Sequence, residues 1–206
     1  PEGQIDLLGH SMGGNVVMMF AGARPERVHR LINLEGFGMP RTTPSMAPGR
    51  YRQWLNELQA MDAGDMNFKT YPSLDAVAQR LQKTNPRLRL DHAQFLASHW
   101  AQPTADGQWA LLGHPAHKVV NPSLYQVDEM ISLYKAITAP TLCVLAQDNE
   151  MASWWKGRYD LAEFRERIGH VPQLQLMELP ECGHMMHHDQ PQALAEAISH
   201  FLYAAS

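Results

Sequence analysis

Ile5-Asp6-Leu7-Leu8-Gly9-His10-Ser11-Met12-Gly13-Gly14-Asn15-Val16-Val17-Met18-Met19-Phe20 decides how the rest of the chain is read. It predicts a short apolar strand, a tight turn and an apolar helix. The turn holds the pattern G-x-S-x-G as Gly9-His10-Ser11-Met12-Gly13, which places a nucleophilic serine on a sharp strand-to-helix reversal. Turning within about one residue forces that serine into a strained backbone conformation. On this reading a side chain at Gly9 or at Gly13 would collide with the neighbouring strand or helix. Ser11 is lifted out of the sheet at the helix N-terminus, where free N–H groups and the helix dipole favour a developing negative charge.

The 206 residues suffice for one domain, or for a core with an inserted subdomain. The net charge is −4, and the 17 basic residues are spread without a run, which argues against nucleic acid as a partner. No apolar stretch approaches the roughly 18 residues of a membrane span, so no membrane partner is expected. No signal peptide is visible. Two cysteines, Cys143 and Cys182, imply no disulfide framework. The expected setting is the cytoplasm.

Outward from the first motif, Leu31-Ile32-Asn33-Leu34 reads as the next parallel strand, ending in Glu35-Gly36-Phe37-Gly38. Strand ends carrying an acid and glycine are where open α/β sheets keep functional residues. From residue 41 to about 138 the character changes to a mostly helical insertion. Helices are predicted over 51–61, over 73–84 with Ser73 as N-cap, and from an Asp91 cap through Trp100. A turn at Asp106-Gly107 precedes a short strand near 108–112. Asn121-Pro122 is read as opening a helix that runs to about Ala136. Core character returns in a strand at 139–145, followed by Gln147-Asp148-Asn149-Glu150. A helix is predicted from Trp154 to Ile168, a last strand at 174–179, and an amphipathic helix from 192 to 203. The domains are therefore 1–40 (core), 41–138 (lid) and 139–206 (core).

Three segments together resemble the α/β-hydrolase superfamily, in its lidded, single-domain branch. They are Gly9-His10-Ser11-Met12-Gly13-Gly14, Ala139-Pro140-Thr141-Leu142, and Gly183-His184 followed by Asp189-Gln190-Pro191. The order Ser, acid, His is the one the superfamily requires. The fold implied is α/β: the C-terminal part of a doubly wound, mostly parallel sheet with an inserted helical lid. The family's earlier strands are expected to be missing, along with the loop that supplies its second oxyanion donor.

By resemblance, Ser11 is the nucleophile, His184 the general base, and the Met12 backbone N–H one half of the oxyanion hole. The acid stays open. The loop after the 139–145 strand is its usual place, and there Asn149 falls at the family's position with Asp148 and Glu150 on either side. Some lidded members keep the acid one strand earlier, and Glu35 stands at that position. A metal reading of His184, His188 and Asp189 fails on spacing, because Met185 stands where H-E-x-x-H needs a glutamate. No metal and no cofactor are implied. Cys143 reads as core, and Cys182 as pointing away from His184. Trp54, Trp100, Trp109, Trp154 and Trp155 are read either as lining an acyl pocket or as packing lid against core, with packing the default.

The resemblance implies a serine hydrolase that cleaves a carboxylic ester or similar acyl bond in a small, moderately hydrophobic substrate. A C–C bond hydrolase, a thioesterase, an acyltransferase and a non-catalytic binding module share the same fold. The residues do not separate these readings.

Overall fold

The computed structural model describes residues 3–203. β1 (Ile5–His10) passes through Ser11 into α1 (Met12–Ala23), and β2 (Val28–Leu34) follows after one 3-10 turn at Pro25–Arg27. The chain then divides into two compact units, residues Thr43–Leu124 and the remainder.

The Thr43–Leu124 unit holds α2 (Ala47–Asp62), β3 (Thr70–Tyr71), α3 (Leu74–Thr84), α4 (Leu90–Trp100), β4 (Ala101–Pro103) and β5 (Trp109–Leu111). Ser73 caps α3 by accepting the Ala76 N–H at 3.1 Å. The α4 start lies two residues earlier than the Asp91 cap expected: Arg89 is the N-cap, and Asp91 sits in the first turn paired with the Arg89 guanidinium. Val77 and Ala78 of α3 bury with Ala93 and Ala97 of α4, so small residues let the two helices approach. β3, β5 and β4 form an antiparallel sheet in that order. β3 and β4 went unread, because two or three residues carry no periodicity.

The other unit continues with α5 (Val127–Ala136), β6 (Thr141–Ala146), α6 (Met151–Trp154), α7 (Leu161–Ile168), β7 (Leu174–Leu179), α8 (Met186–Asp189) and α9 (Pro191–Tyr203). Its four strands pair in the order β1-β2-β6-β7, all parallel. Period-two alternation sends side chains to opposite faces. Leu31, Cys143 and Leu145 join Met18 and Ala21 of α1, Met130 and Tyr134 of α5, and Phe164 and Ile168 of α7. Ile32, Leu34, Leu142 and Val144 join Met186 of α8 with Leu194 and Phe201 of α9. Helices thus cover both faces, as an α/β fold requires.

Two helix predictions are corrected. The helix expected from Asn121-Pro122 starts only at Val127. Asn121 Oδ1 instead accepts the Ser123 N–H at 2.9 Å, which makes it a turn residue, not a cap. The helix expected over 154–168 is broken, because Lys156 and Gly157 both take positive φ, 51° and 72°. Asp160 then caps a fresh start at α7 by accepting the Glu163 N–H. α5 also counts with the parallel sheet, because Met130 and Tyr134 bury against α1. Among the described residues no helix is long and apolar enough to cross a membrane.

Candidate active site

Ser11 stands between β1 and α1 at φ 56°, ψ −118°, a region a non-glycine residue enters only when its surroundings enforce it. The enforcement is local. The Ser11 N–H donates to Leu34 O at 2.8 Å, and a Cβ at Gly9 would lie 2.2 Å from Gly13 O. The expected collision at Gly13 is absent, since nothing lies within 4 Å of a Cβ built there. The close approach falls one residue later. A Cβ on Gly14 would meet Asn33 Oδ1 at 2.5 Å and Gly36 Cα at 2.9 Å.

Those neighbours belong to a second sharp strand end. Glu35 follows β2 with φ 52° and is 1% exposed. Asn33, fully buried, braces this turn with both amide atoms. Its Nδ2 donates to Gly36 O at 3.1 Å, and its Oδ1 accepts the Gly36 N–H at 2.7 Å. Glu35 Oε1 accepts the Ala146 N–H at 2.8 Å, and Oε2 lies 2.8 Å from His184 Nδ1. His184 Nε2 lies 2.9 Å from Ser11 Oγ. A carboxylate only accepts, so Nδ1 carries the proton of the neutral ring and Nε2 is free to accept from Ser11. The resulting line can move a proton from the hydroxyl to an imidazole whose cationic form is balanced by a buried carboxylate.

The structure therefore brings Ser11, His184 and Glu35 together. Asp148 is exposed in the turn after β6, where its N–H donates to Cys182 O. Glu150 precedes α6 and accepts from Trp154 Nε1 at 3.2 Å. Met12 is the first residue of α1, and its N–H has no partner one turn earlier within the helix. Gly183, just before His184, donates its N–H to Asp189 Oδ2 at 2.9 Å, which fixes the loop carrying the imidazole. Among the described residues no group of three or more His, Cys, Asp or Glu could hold a metal ion. Cys182 is buried, with its thiol on Leu179 O. Burial, with the nearby Glu35 charge, pushes the Cys143 thiol up to about 12, so it stays protonated.

A cavity of about 450 Å³ opens beside Ser11, lined also by Phe37, Met39, Trp154 and Trp155. Trp154 stands edge-on to the His184 ring, 4.6 Å between centroids at 80°. The wall formed by residues 37–39 is pinned by its backbone. Tyr159 O–H donates to Phe37 O at 2.6 Å, Gly38 N–H to Asn15 Oδ1 at 2.8 Å, and Arg167 Nη1–H to Met39 O at 2.8 Å. Sequence reasoning quoted Asn33 and Asp189 without their bracing roles, did not single out Tyr159, and held pocket lining by Trp154 as the alternative to its default packing role. The one available signal was the glycine after Glu35, which marks a tight turn needing a brace.

The sequence pattern described as alpha/beta hydrolase fold matches residues 1–191. A serine hydrolase-like protein of Danio rerio is 24% identical over 208 residues, covering 98% of this chain and 62% of its own length. An sn-1-specific diacylglycerol lipase of Mus musculus is 25% identical over 199 residues, covering 95% and 58% respectively. The chain thus spans less than two thirds of either relative. A thioesterase domain from the curacin biosynthetic pathway superposes with a TM-score of 0.76 at 21% identity, over 97% of this chain and 67% of that one. That likeness is one of fold. With the match running through the strand-turn-helix, the parallel sheet and the His184 loop, the chain belongs to the alpha/beta hydrolase fold family.

Proposed function

We propose that this chain is a serine hydrolase that cleaves a carboxylic ester through an acyl-enzyme at Ser11. The observation that carries the reading is the continuous Glu35–His184–Ser11 line, at 2.8 and 2.9 Å. His184 Nε2 takes the hydroxyl proton as Ser11 Oγ attacks the carbonyl carbon. The Met12 N–H at the start of α1 stabilises the oxyanion. His184 then passes the proton to the leaving alkoxide, and water repeats the sequence to release the acid. Glu35 Oε2, facing Nδ1 at 2.8 Å, holds the Nδ1–H tautomer.

The cavity side chains Phe37, Met39, Trp154 and Trp155 suit a moderately hydrophobic acyl group. We read Thr43–Leu124 as the lid, from its place in the chain between β2 and α5. The test is intact-mass labelling by a fluorophosphonate, with turnover of a short-chain nitrophenyl ester alongside. One adduct per chain is expected, and none on Ser11→Ala. Ser11→Ala turnover above about a tenth of the parent rate would sink the mechanism, since loss of a nucleophile costs far more. The same holds for a folded parent chain that takes no adduct.

A further inference from the structure

The residue before the nucleophile reaches the base by a second route. His10 Nε2 lies 2.7 Å from the carbonyl oxygen of His184. A carbonyl only accepts, so His10 is the donor and its proton sits on Nε2. The His10 ring lies 4.8 Å from the His184 ring at 40°, and 4.6 Å from the His187 ring at 65°. Burial, the largest influence, lowers the His10 pKa below its ordinary 6.5, although the bond to His184 O and the Glu35 charge pull it upward. His10 is therefore neutral at pH 7 and adds no second charge beside the imidazolium that forms during turnover.

We propose that His10 is a positioning residue for ester hydrolysis: its Nε2–H holds the backbone carbonyl of His184 and so sets where the base stands. The inference rests on the serine hydrolase reading above. His184 projects from a loop between β7 and α8, in which Glu181 already takes a positive φ of 55°. Asp189 holds that loop at Gly183, and His10 holds it at His184 itself. His10 stands at the end of a paired strand, opposite Leu34, and is the firmer partner. Ser11 is bonded to His10 along the chain, and His184 Nε2 returns to Ser11 Oγ at 2.9 Å. One covalent link and two hydrogen bonds thus close a ring through nucleophile, strand end and base. Opening it lets His184 drift from Ser11, and a general base must lie within about 2.6–3.2 Å of the proton it takes.

Two variants separate the donor from the ring. His10→Phe keeps an aromatic ring against His184 and His187 and removes the donor. His10→Gln removes the ring and keeps an amide N–H able to reach the same carbonyl. In the parent-active assay, His10→Phe should lower kcat and the fluorophosphonate labelling rate by about 10- to 100-fold with KM within about twofold, the scale of a misplacement near 1 Å. His10→Gln should restore most of that loss. A readout free of turnover accompanies it: the far-downfield proton of His184 Nδ1–H bound to Glu35. It should be sharp in the parent and in His10→Gln, and broadened in His10→Phe. A parent chain that takes no label refutes the hydrolase reading alone, and the His184 resonance then still decides for or against His10. Parent-like behaviour of His10→Phe, or equal impairment of both variants, overturns the proposal.

Discussion

Replacing Glu35 by glutamine tests the proton path with a change of a few atoms. Glu35 Oε1 accepts the buried Ala146 N–H, and that bond decides how a new amide would sit. Turned the other way, the amide would set an NH2 against that N–H, leaving a buried donor unpaired at a cost of about 1–3 kcal/mol. The amide oxygen therefore stays on Ala146, and the NH2 faces His184 Nδ1. Nδ1 must then accept, so the imidazole proton moves to Nε2, facing Ser11 Oγ. A ring protonated there cannot take the serine proton. Losing the tautomer in this way is worth up to about 10⁴ in kcat for a comparable triad, or about 5.5 kcal/mol at 1.36 kcal/mol per tenfold. We expect Glu35→Gln to lose about 10³- to 10⁴-fold in ester turnover and in labelling rate, with KM and melting temperature near those of the parent. Asp148→Asn should stay near parent activity. A Glu35→Gln variant keeping more than a tenth of the rate, beside an Asp148→Asn variant that loses a thousandfold, would refute the assignment.

Gly14→Ala should cost about 1–3 kcal/mol, because its Cβ meets the Asn33 side chain and the Gly36 backbone. Gly13→Ala, with open space at Cβ within a helix, should gain up to about 1 kcal/mol; urea melts of the two would show opposite signs. Tyr159→Phe leaves the buried Phe37 carbonyl without its donor and should cost about 1–3 kcal/mol. It should also raise KM as the 37–39 wall loosens, read by calorimetry and steady-state kinetics. His187 is held down from its ordinary 6.5 to about 4, mainly by burial and then by His188, His10 and His184. The unfolded chain therefore binds the extra proton first, and the group draws stability away as pH falls from 6.5 toward 4. Denaturation midpoints should fall less steeply over that window for His187→Gln than for the parent; parallel curves would contradict the assigned burial.

The elements legible from residues were those whose pattern has one physical solution. A strand, G-x-S-x-G and an apolar helix leave the chain no other path, β2 and β6 announce themselves as apolar runs between turn residues, and β7 does so by its alternation. The failures were of punctuation. Asn121-Pro122 suits a helix start and a turn equally, and the choice fell to the Ser123 N–H that Asn121 accepts. The break at Lys156-Gly157 depends on a non-glycine residue in a left-handed conformation, which no residue-type preference foretells. Between Glu35 and Asp148, spacing was silent because both follow parallel strands. The direction each strand end turns separates them, and at Glu35 that direction is set by Asn33, a residue two places earlier with no chemistry of its own.

Glu35 at the end of β2 has a consequence for what can be altered. With the acid there, the segment from Gln147 to Trp155 holds no member of the proposed proton line, yet it supplies two walls of the cavity through Trp154 and Trp155. Within it Glu150 fastens Trp154 by accepting from Nε1. The pocket wall is thereby shared by two stretches of backbone, 37–39 directly after the acid and 154–155 apart from it. Substitutions at Trp154 and Trp155 should reshape the pocket while the strand ends that carry Ser11 and Glu35 keep their sequence, whereas Met151, fully buried in the core, and Asp148, whose N–H holds Cys182 O, tie the rest of 147–155 to the fold.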